Sequence, residues 1–264
     1  MKPVQPEMIC LPSDLKKIGF FDSGIGGLSI LNAVIKTHPA ECIYVADTAY
    51  LPYGNKPKEV LIERGRVVIK TLKTHGIDTI IIACHTSSAH CLETLKAEFP
   101  EVTLIDMLLP TVHAAAAITK NKRVGIIATT GTISTHAHKK LFEGHAPEIA
   151  VFEQACPKLV PLVESRTTTN EERAAALKEY LTPLQEQTID TLILGCTHYA
   201  FLKDAIHQIA PELTLISAGG CIAPGITPAE QGPVTFLTSG EGDYSESIKQ
   251  FLGTTSRTLK FERF

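Results

Sequence analysis

An internal repeat constrains the fold of this chain more than any other feature. The segment Ile77-Asp78-Thr79-Ile80-Ile81-Ile82-Ala83-Cys84 returns as Ile189-Asp190-Thr191-Leu192-Ile193-Leu194-Gly195-Cys196. Val102-Thr103-Leu104-Ile105 returns as Leu213-Thr214-Leu215-Ile216. Ile18-Gly19-Phe20-Phe21 returns as Val124-Gly125-Ile126-Ile127, with a turn rich in Gly, Ser and Thr after each copy. Each pair is separated by roughly 110 residues, and the three keep one order, which points to two similar halves made by duplication. A chain of 264 residues has room for two domains of ordinary size. The expected limits are 1–108 for the first and 109–220 for the second. Residues 221–264 have no earlier copy and are expected to return and complete the first domain's sheet.

Both halves alternate short apolar runs with amphipathic stretches. The runs Lys17–Asp22, Cys42–Asp47, Thr79–Cys84, Thr103–Met107, Arg123–Thr129, Ile149–Ala155, Thr191–Cys196, Leu213–Ala218 and Val234–Thr238 are rich in Val, Ile and Leu without clean alternation. That pattern belongs to strands buried on both faces of a parallel sheet. Between them, Pro57–His75 carries Val60, Leu61, Val67, Val68 and Leu72 at helical spacing and ends at Gly76. Asn170–Gln187 starts with Glu171 and Glu172, which favour the positive end of a helix. The predicted architecture is therefore α/β: two pseudo-symmetric three-layer domains with mostly parallel sheets and right-handed crossovers. Ligands of such sheets bind outside the carboxyl ends of the strands, so the site is expected in the cleft between the domains.

Composition excludes several functions. With 25 basic and 28 acidic residues the formal charge is −3, which offers no footprint for nucleic acid. No apolar run approaches the ~20 residues of a membrane span. The opening residues lack the apolar stretch of a secretory signal, so a cytoplasmic location is expected, and the first dozen or so residues read as a disordered extension. Seven cysteines, an odd number with no C-x-x-C pair, read as reduced thiols rather than disulfides.

The repeat singles out two of those thiols. Cys84 and Cys196 each end a buried strand just before a helix, where a helix N-terminus stabilises anions and can lower a thiol pKa. Taken singly, each is equally well a small core residue. Packing alone does not require thiols at both equivalent strand ends, however, and the symmetric placement favours a shared ligand. Two opposed acid/base groups suit inversion of a tetrahedral carbon: one removes a proton from one face while the other supplies a proton to the opposite face. Cys10, Cys42, Cys91, Cys156 and Cys221 lack this setting and read as structural.

Polar residues gather at the same strand ends. Asp22-Ser23-Gly24-Ile25-Gly26-Gly27 follows the first strand; it matches no dinucleotide or P-loop pattern. It reads either as a capped turn or as a cradle in which Ser23 and backbone amides hold a carboxylate and Asp22 holds an ammonium. His85 and Thr86 follow Cys84, Thr197 and His198 follow Cys196, and the loop bearing Tyr53 and Gly54 belongs to the same rim. Glu164 can sit at the surface or reach the cleft, and spacing does not decide. His136-x-His138 has no acidic or thiol partner nearby in sequence, so no metal is expected.

With these residues assembled, the chain resembles the glutamate racemases of the aspartate/glutamate racemase superfamily. The resemblance rests on FDSGIGGLS at Phe21–Ser29, YVADTAYLPYG at Tyr44–Gly54, AC-x-T at Ala83–Thr86, ACPKLVPLVE at Ala155–Glu164, LGCTHY at Leu194–Tyr199 and FLTSG at Phe236–Gly240. These motifs run along nearly the whole chain. The resemblance implies a bacterial, cofactor-independent enzyme that interconverts L- and D-glutamate for peptidoglycan synthesis, and hence for cell shape. It makes Cys84 and Cys196 the catalytic thiols, with Asp22 assisting Cys84, and Glu164 and His198 assisting Cys196. Substrate contacts would come from Asp22, Ser23, Tyr53, Gly54, His85, Thr86, Thr197 and His198. The partners expected are glutamate and a second copy of the chain. The sequence departs from the family at His85, where Asn is usual, at Ala200, where Pro is common, and at Ser217–Gly220, which lacks a frequent Asp-Ser. A racemase of another amino acid such as aspartate, and a non-catalytic carboxylate-binding protein, are the competing functions.

Overall fold

A computed structural model describes residues 8–165, 167–222, 232–242, 244–252 and 258–264. The strands are β1 (Lys17–Asp22), β2 (Glu41–Ala46), β3 (Thr79–Ile82), β4 (Thr103–Asp106), β5 (Arg123–Ala128), β6 (Ala150–Ala155), β7 (Thr191–Gly195), β8 (Thr214–Ser217), β9 (Val234–Thr238) and β10 (Leu259–Arg263). The α-helices are α1 (Leu28–Thr37), α2 (Lys58–Thr74), α3 (His85–Glu98), α4 (Leu108–Ile118), α5 (Thr130–Ser134), α6 (Ala137–His145), α7 (Leu159–Glu164), α8 (Asn170–Glu186), α9 (Lys203–Ile209) and α10 (Ser245–Leu252).

Among the described residues the strands form two sheets. One has the order β10-β9-β2-β1-β3-β4 and the other β6-β5-β7-β8. Every pairing is parallel. The order β2-β1-β3-β4 is repeated as β6-β5-β7-β8, so the duplication seen in the sequence is a duplication of topology. In each half the chain crosses from one side of the first strand to the other, placing a switch point between β1 and β3 and another between β5 and β7. β9 and β10, from the C-terminal part of the chain, extend the first sheet beside β2.

Burial explains the layers. Phe20 and Tyr44 face Leu31 and Val34 of α1, whereas Phe21 and Val45 face Leu61, Val68 and Leu72 of α2. In the second half Ile126 and Ile193 face Val112 of α4 and Phe142 of α6, while Ile127 and Leu194 face Leu177 and Leu181 of α8. Each such side chain, fully withdrawn from water, contributes about 1.5–3 kcal/mol. Gly19 and Gly125 are equivalent in a further respect. A Cβ at Gly19 would lie 2.8 Å from Ile77, and one at Gly125 would lie 2.5 Å from Ile189. The repeated Gly and the repeated Ile therefore record one packing contact used twice.

The structure departs from expectation at both ends of the chain. The first dozen residues are not wholly an extension: Ile9 pairs with Ile222, its N–H donates to the Cys221 carbonyl at 2.9 Å, and Ile9, Leu11 and Leu15 pack on the core. Residues 1–7 lie outside the described residues. β10 was not anticipated, because LKFER mixes two apolar residues with three charged ones, as suits an exposed sheet edge. Phe261 anchors it by stacking on Phe236 at 5.2 Å.

Candidate active site

The two switch points face each other. Cys84 follows β3 and caps the N-terminus of α3; Cys196 follows β7 and precedes a 3-10 segment, Thr197–Leu202. The two thiols line one cavity together with Ser23, Tyr53, Gly54, His85, Thr86, Thr197 and His198. That cavity has a volume of about 10 Å³. This is room for roughly one water. Of the residues singled out from sequence, Asp22 and Glu164 stand behind this lining. Asp22 is wholly buried; its carboxylate accepts the Gly24 N–H at 3.0 Å and the Thr197 hydroxyl at 3.2 Å, tying the end of β1 to the segment after β7. Glu164 reaches the cleft from the last turn of α7, with its Oε1 2.5 Å from Nε2 of His198.

Each sulfur has a polar neighbour from its own half of the site. Cys84 Sγ lies 3.9 Å from Ser23 Oγ, and Cys196 Sγ lies 3.9 Å from Nδ1 of His198. The electrostatics are asymmetric. Burial, and then the nearby Asp22 carboxylate, push the Cys84 thiol up to about 12 despite hydrogen bonding from Ser87. The expectation that the helix N-terminus would favour a Cys84 thiolate is therefore overturned in this closed site, because desolvation outweighs the helix end. Burial alone would lower His198, but its hydrogen bonds to Cys196 and Glu164, with the charges of Cys196 and Asp22, raise it to about 10. Burial raises Asp22 to about 6 against the opposing pull of His198. One half thus holds a neutral thiol beside a carboxyl, and the other holds an imidazolium between a sulfur and a carboxylate.

The rim is held by Tyr53 and Thr86 together with Asp47, Arg64, Ser239, Thr129 and Thr132, the last five having no role read from sequence. Tyr53 donates its hydroxyl to Asp47 at 2.5 Å, Arg64 donates to both Asp47 oxygens at 2.8 Å, and Ser239 adds a donor at 2.6 Å. The Tyr53 hydroxyl is thereby committed to Asp47. Thr86 meets Thr129 at 3.0 Å and Thr132 at 3.1 Å, joining the start of α3 to the start of α5 across the cleft. Thr129 was legible in principle, since it follows β5 as the Asp22-Ser23 turn follows β1. His136 and His138 do not converge: His136 pairs with Glu153 at 2.6 Å, whereas the His138 ring stacks on His85.

Two buried imidazoles set an acid limit on the fold. Burial lowers His85 to about 4, and burial together with the adjacent His85 lowers His138 to about 3, from an ordinary 6.5. Below pH 6.5 the unfolded chain takes up protons there and the folded chain does not. Their stabilisation is thus complete above pH 6.5 and is lost as pH falls toward about 4 and about 3. The slope is about 1.4 kcal/mol per pH unit for each ring. Asp22 works in the opposite sense between about 6 and 3.8, and His198, raised to about 10, does so above 6.5; together they offset part of the loss between pH 7 and pH 5 but not all of it. Urea titrations at pH 7 and pH 5 should give a lower midpoint at pH 5; an equal or higher midpoint contradicts this balance.

Comparison with known proteins places the chain in a family. The family model described as Asp/Glu/Hydantoin racemase matches residues 31–223. The glutamate racemase of Pseudomonas aeruginosa is 40% identical over 208 residues, covering 78% of each chain. A glutamate racemase isoform from Bacillus anthracis has the same fold, with a TM-score of 0.85, 27% identity and coverage of 95% of this chain and 98% of that one. The glutamate racemase of Francisella tularensis, solved with D-glutamate, gives a TM-score of 0.81 at 28% identity, covering 94% and 97%. The chain belongs to the Asp/Glu/Hydantoin racemase family.

Proposed function

We propose that this chain is a glutamate racemase that needs no cofactor and uses Cys84 and Cys196 as its two bases. The observation that carries the proposal is that two thiols, from equivalent strand ends of two repeated sheets, line one small cavity together. The solved relative with bound D-glutamate supports a small amino-acid substrate.

In this mechanism the halves part, the substrate ammonium reaches Asp22 behind the lining, and its carboxylates meet the donors at the starts of α3 and the 3-10 segment. One thiolate takes the α-proton, leaving a planar carbanion, and the opposite thiol donates its proton to the other face. Net proton count is unchanged, the two sulfurs exchange roles, and the reverse reaction uses the same groups. His198, held by Glu164, offsets the charge that Cys196 acquires when it gives up its proton. Asp22 plays the corresponding part beside Cys84 by accepting or releasing a proton. Closure to a nearly filled cavity excludes water from the carbanion.

The wider assignments follow from this reading. The chain divides at 1–108 with 221–264, and 109–220, the halves parting to admit substrate. The product D-glutamate serves peptidoglycan synthesis in the bacterial cytoplasm, and the working unit is a homodimer. Among the described residues no helix is long and apolar enough to cross a membrane. An aspartate racemase is the second reading, favoured by the bulk of His85 at the cavity wall.

Chiral separation of products from a panel of L-amino acids, incubated with the freshly reduced protein, tests the proposal. Glutamate should be converted fastest. Faster conversion of aspartate supports the second reading, and binding without conversion of any member contradicts both.

Gly26 gives a separate test of how closely the halves meet. A Cβ there would collide with the Thr197 hydroxyl and lie 2.7 Å from His198 Nδ1 and 2.9 Å from its backbone N. Gly26→Ala should lower kcat/KM by about 100-fold through misplacement of His198 and Cys196. Unchanged kinetics would mean that the turn after β1 does not set the position of the second half.

A further inference from the structure

His85 and His138 stand apart from the other polar groups around the cavity. His85 opens α3 directly after Cys84 and lines the cavity; His138 lies in the first turn of α6, in the other half of the molecule. Both are 1% exposed, and their rings stack at 5.9 Å with planes 20° apart. Nδ1 and Nε2 of His85 and Nε2 of His138 have no hydrogen-bond partner. A buried polar atom without a partner costs about 1–3 kcal/mol, and folded proteins carry few of them. Two such atoms on a ring that lines the cavity, with a third on the ring stacked against it, indicate a partner that arrives with the ligand.

The glycine before the second cysteine adds an independent observation. A Cβ at Gly195 would lie 3.3 Å from Cε1 of His138. The His138 ring therefore rests against the strand end that carries Cys196 and against the residue that follows Cys84. It spans the two halves of the site.

Charge complementarity selects the ligand group. A neutral imidazole offers one N–H and one lone pair. The ammonium of an amino acid has a carboxylate to meet in Asp22, whereas its carboxylate groups need donors. We propose that His138 is a positioning residue: it holds the His85 ring so that its N–H donates to a carboxylate of the amino-acid substrate. This rests on the racemase reading above.

Steady-state kinetics with L- and D-glutamate on the native protein, His138→Ala, His138→Phe, His85→Asn and the double variant His85→Asn/His138→Ala test it. His138→Ala should raise KM about ten-fold with little change in kcat, the size expected for a weakened bond to a charged group. His138→Phe, which keeps a flat ring against His85, should raise KM less. In the His85→Asn background, His138→Ala should have no further effect on KM. Equal effects of His138→Ala in both backgrounds, or none in either, overturn the proposal.

Imidazole nitrogen resonances of the native protein, labelled at histidine and titrated with D-glutamate, give a readout independent of variant folding. The His85 signals should shift on saturation. If the native protein racemises glutamate and these signals do not move, the role of the pair is refuted and the racemase reading stands. If they move but no amino acid is converted, the carboxylate site stands and the racemase reading fails.

Discussion

Serine at position 84, or at position 196, lowers kcat for glutamate racemisation by about 10²–10⁴-fold in both directions. A hydroxyl is far less acidic than a thiol, so it is not ionised to take the α-proton and does not return one at a useful rate. In the proposed mechanism each sulfur serves one face of the α-carbon, and each direction of reaction needs both faces, so either single change suffices. The structural cost is small because serine fits the space of cysteine at two sites that are 5% and 7% exposed. The predicted pattern is lost turnover with a nearly unchanged melting midpoint. A variant with full activity in both directions removes the role given to that thiol.

Asp47→Ala has the largest effect expected on stability. Asp47 is fully buried at the end of β2, where its oxygens accept from Arg64, Tyr53 and Ser239. Removing it leaves the Arg64 guanidinium, 14% exposed, without its counter-charge, together with two orphaned hydroxyls. Breaking a buried pair in this way costs about 3–5 kcal/mol, and the partial exposure of Arg64 places this case at the lower end. A midpoint drop of roughly 10 °C follows for a chain of this size. KM should rise as well, since Tyr53 and Gly54 lose the anchor that fixes them at the cavity. Thermal melts of Asp47→Ala and Asp47→Asn, with KM for glutamate, check both effects. An unchanged midpoint would show that this cluster does not hold the rim.

Much of the architecture was legible because duplication wrote it twice. The matches IDTIIIAC with IDTLILGC, and IGFF with VGII, located equivalent strands and the two thiols that end them. Strand limits read from apolar runs fall within a residue or two of the observed ones, since a strand buried on both faces tolerates few polar residues. β10 was not legible: its pairing with β9 is set by the neighbouring backbone, and its charged side chains face solvent. The ends of the site were harder still. Whether Glu164 lay at the surface or in the cleft depended on the short helix α7, and it reaches His198 only because that helix aims its last turn inward. Asp47 and Arg64 meet across seventeen residues of sequence with no pattern to announce them. His138 was visible only as half of the His136-x-His138 pair, because its actual neighbours, His85 and Gly195, lie far away in the chain. The state of Cys84 ran against simple expectation, since the helix N-terminus was visible in sequence and the burial that overrides it was not.

The proposed action of two thiols on opposite faces of one carbon is read most directly from the fate of hydrogen in the earliest turnovers. L-glutamate is given to the enzyme in heavy water, and both isomers are recovered before a few per cent have been converted. With two bases, the D-glutamate formed carries one deuterium at the α-carbon while the recovered L-glutamate retains its protium. Deuterium appearing in the remaining L-glutamate as fast as D-glutamate forms, or D-glutamate retaining the original hydrogen, would contradict the account.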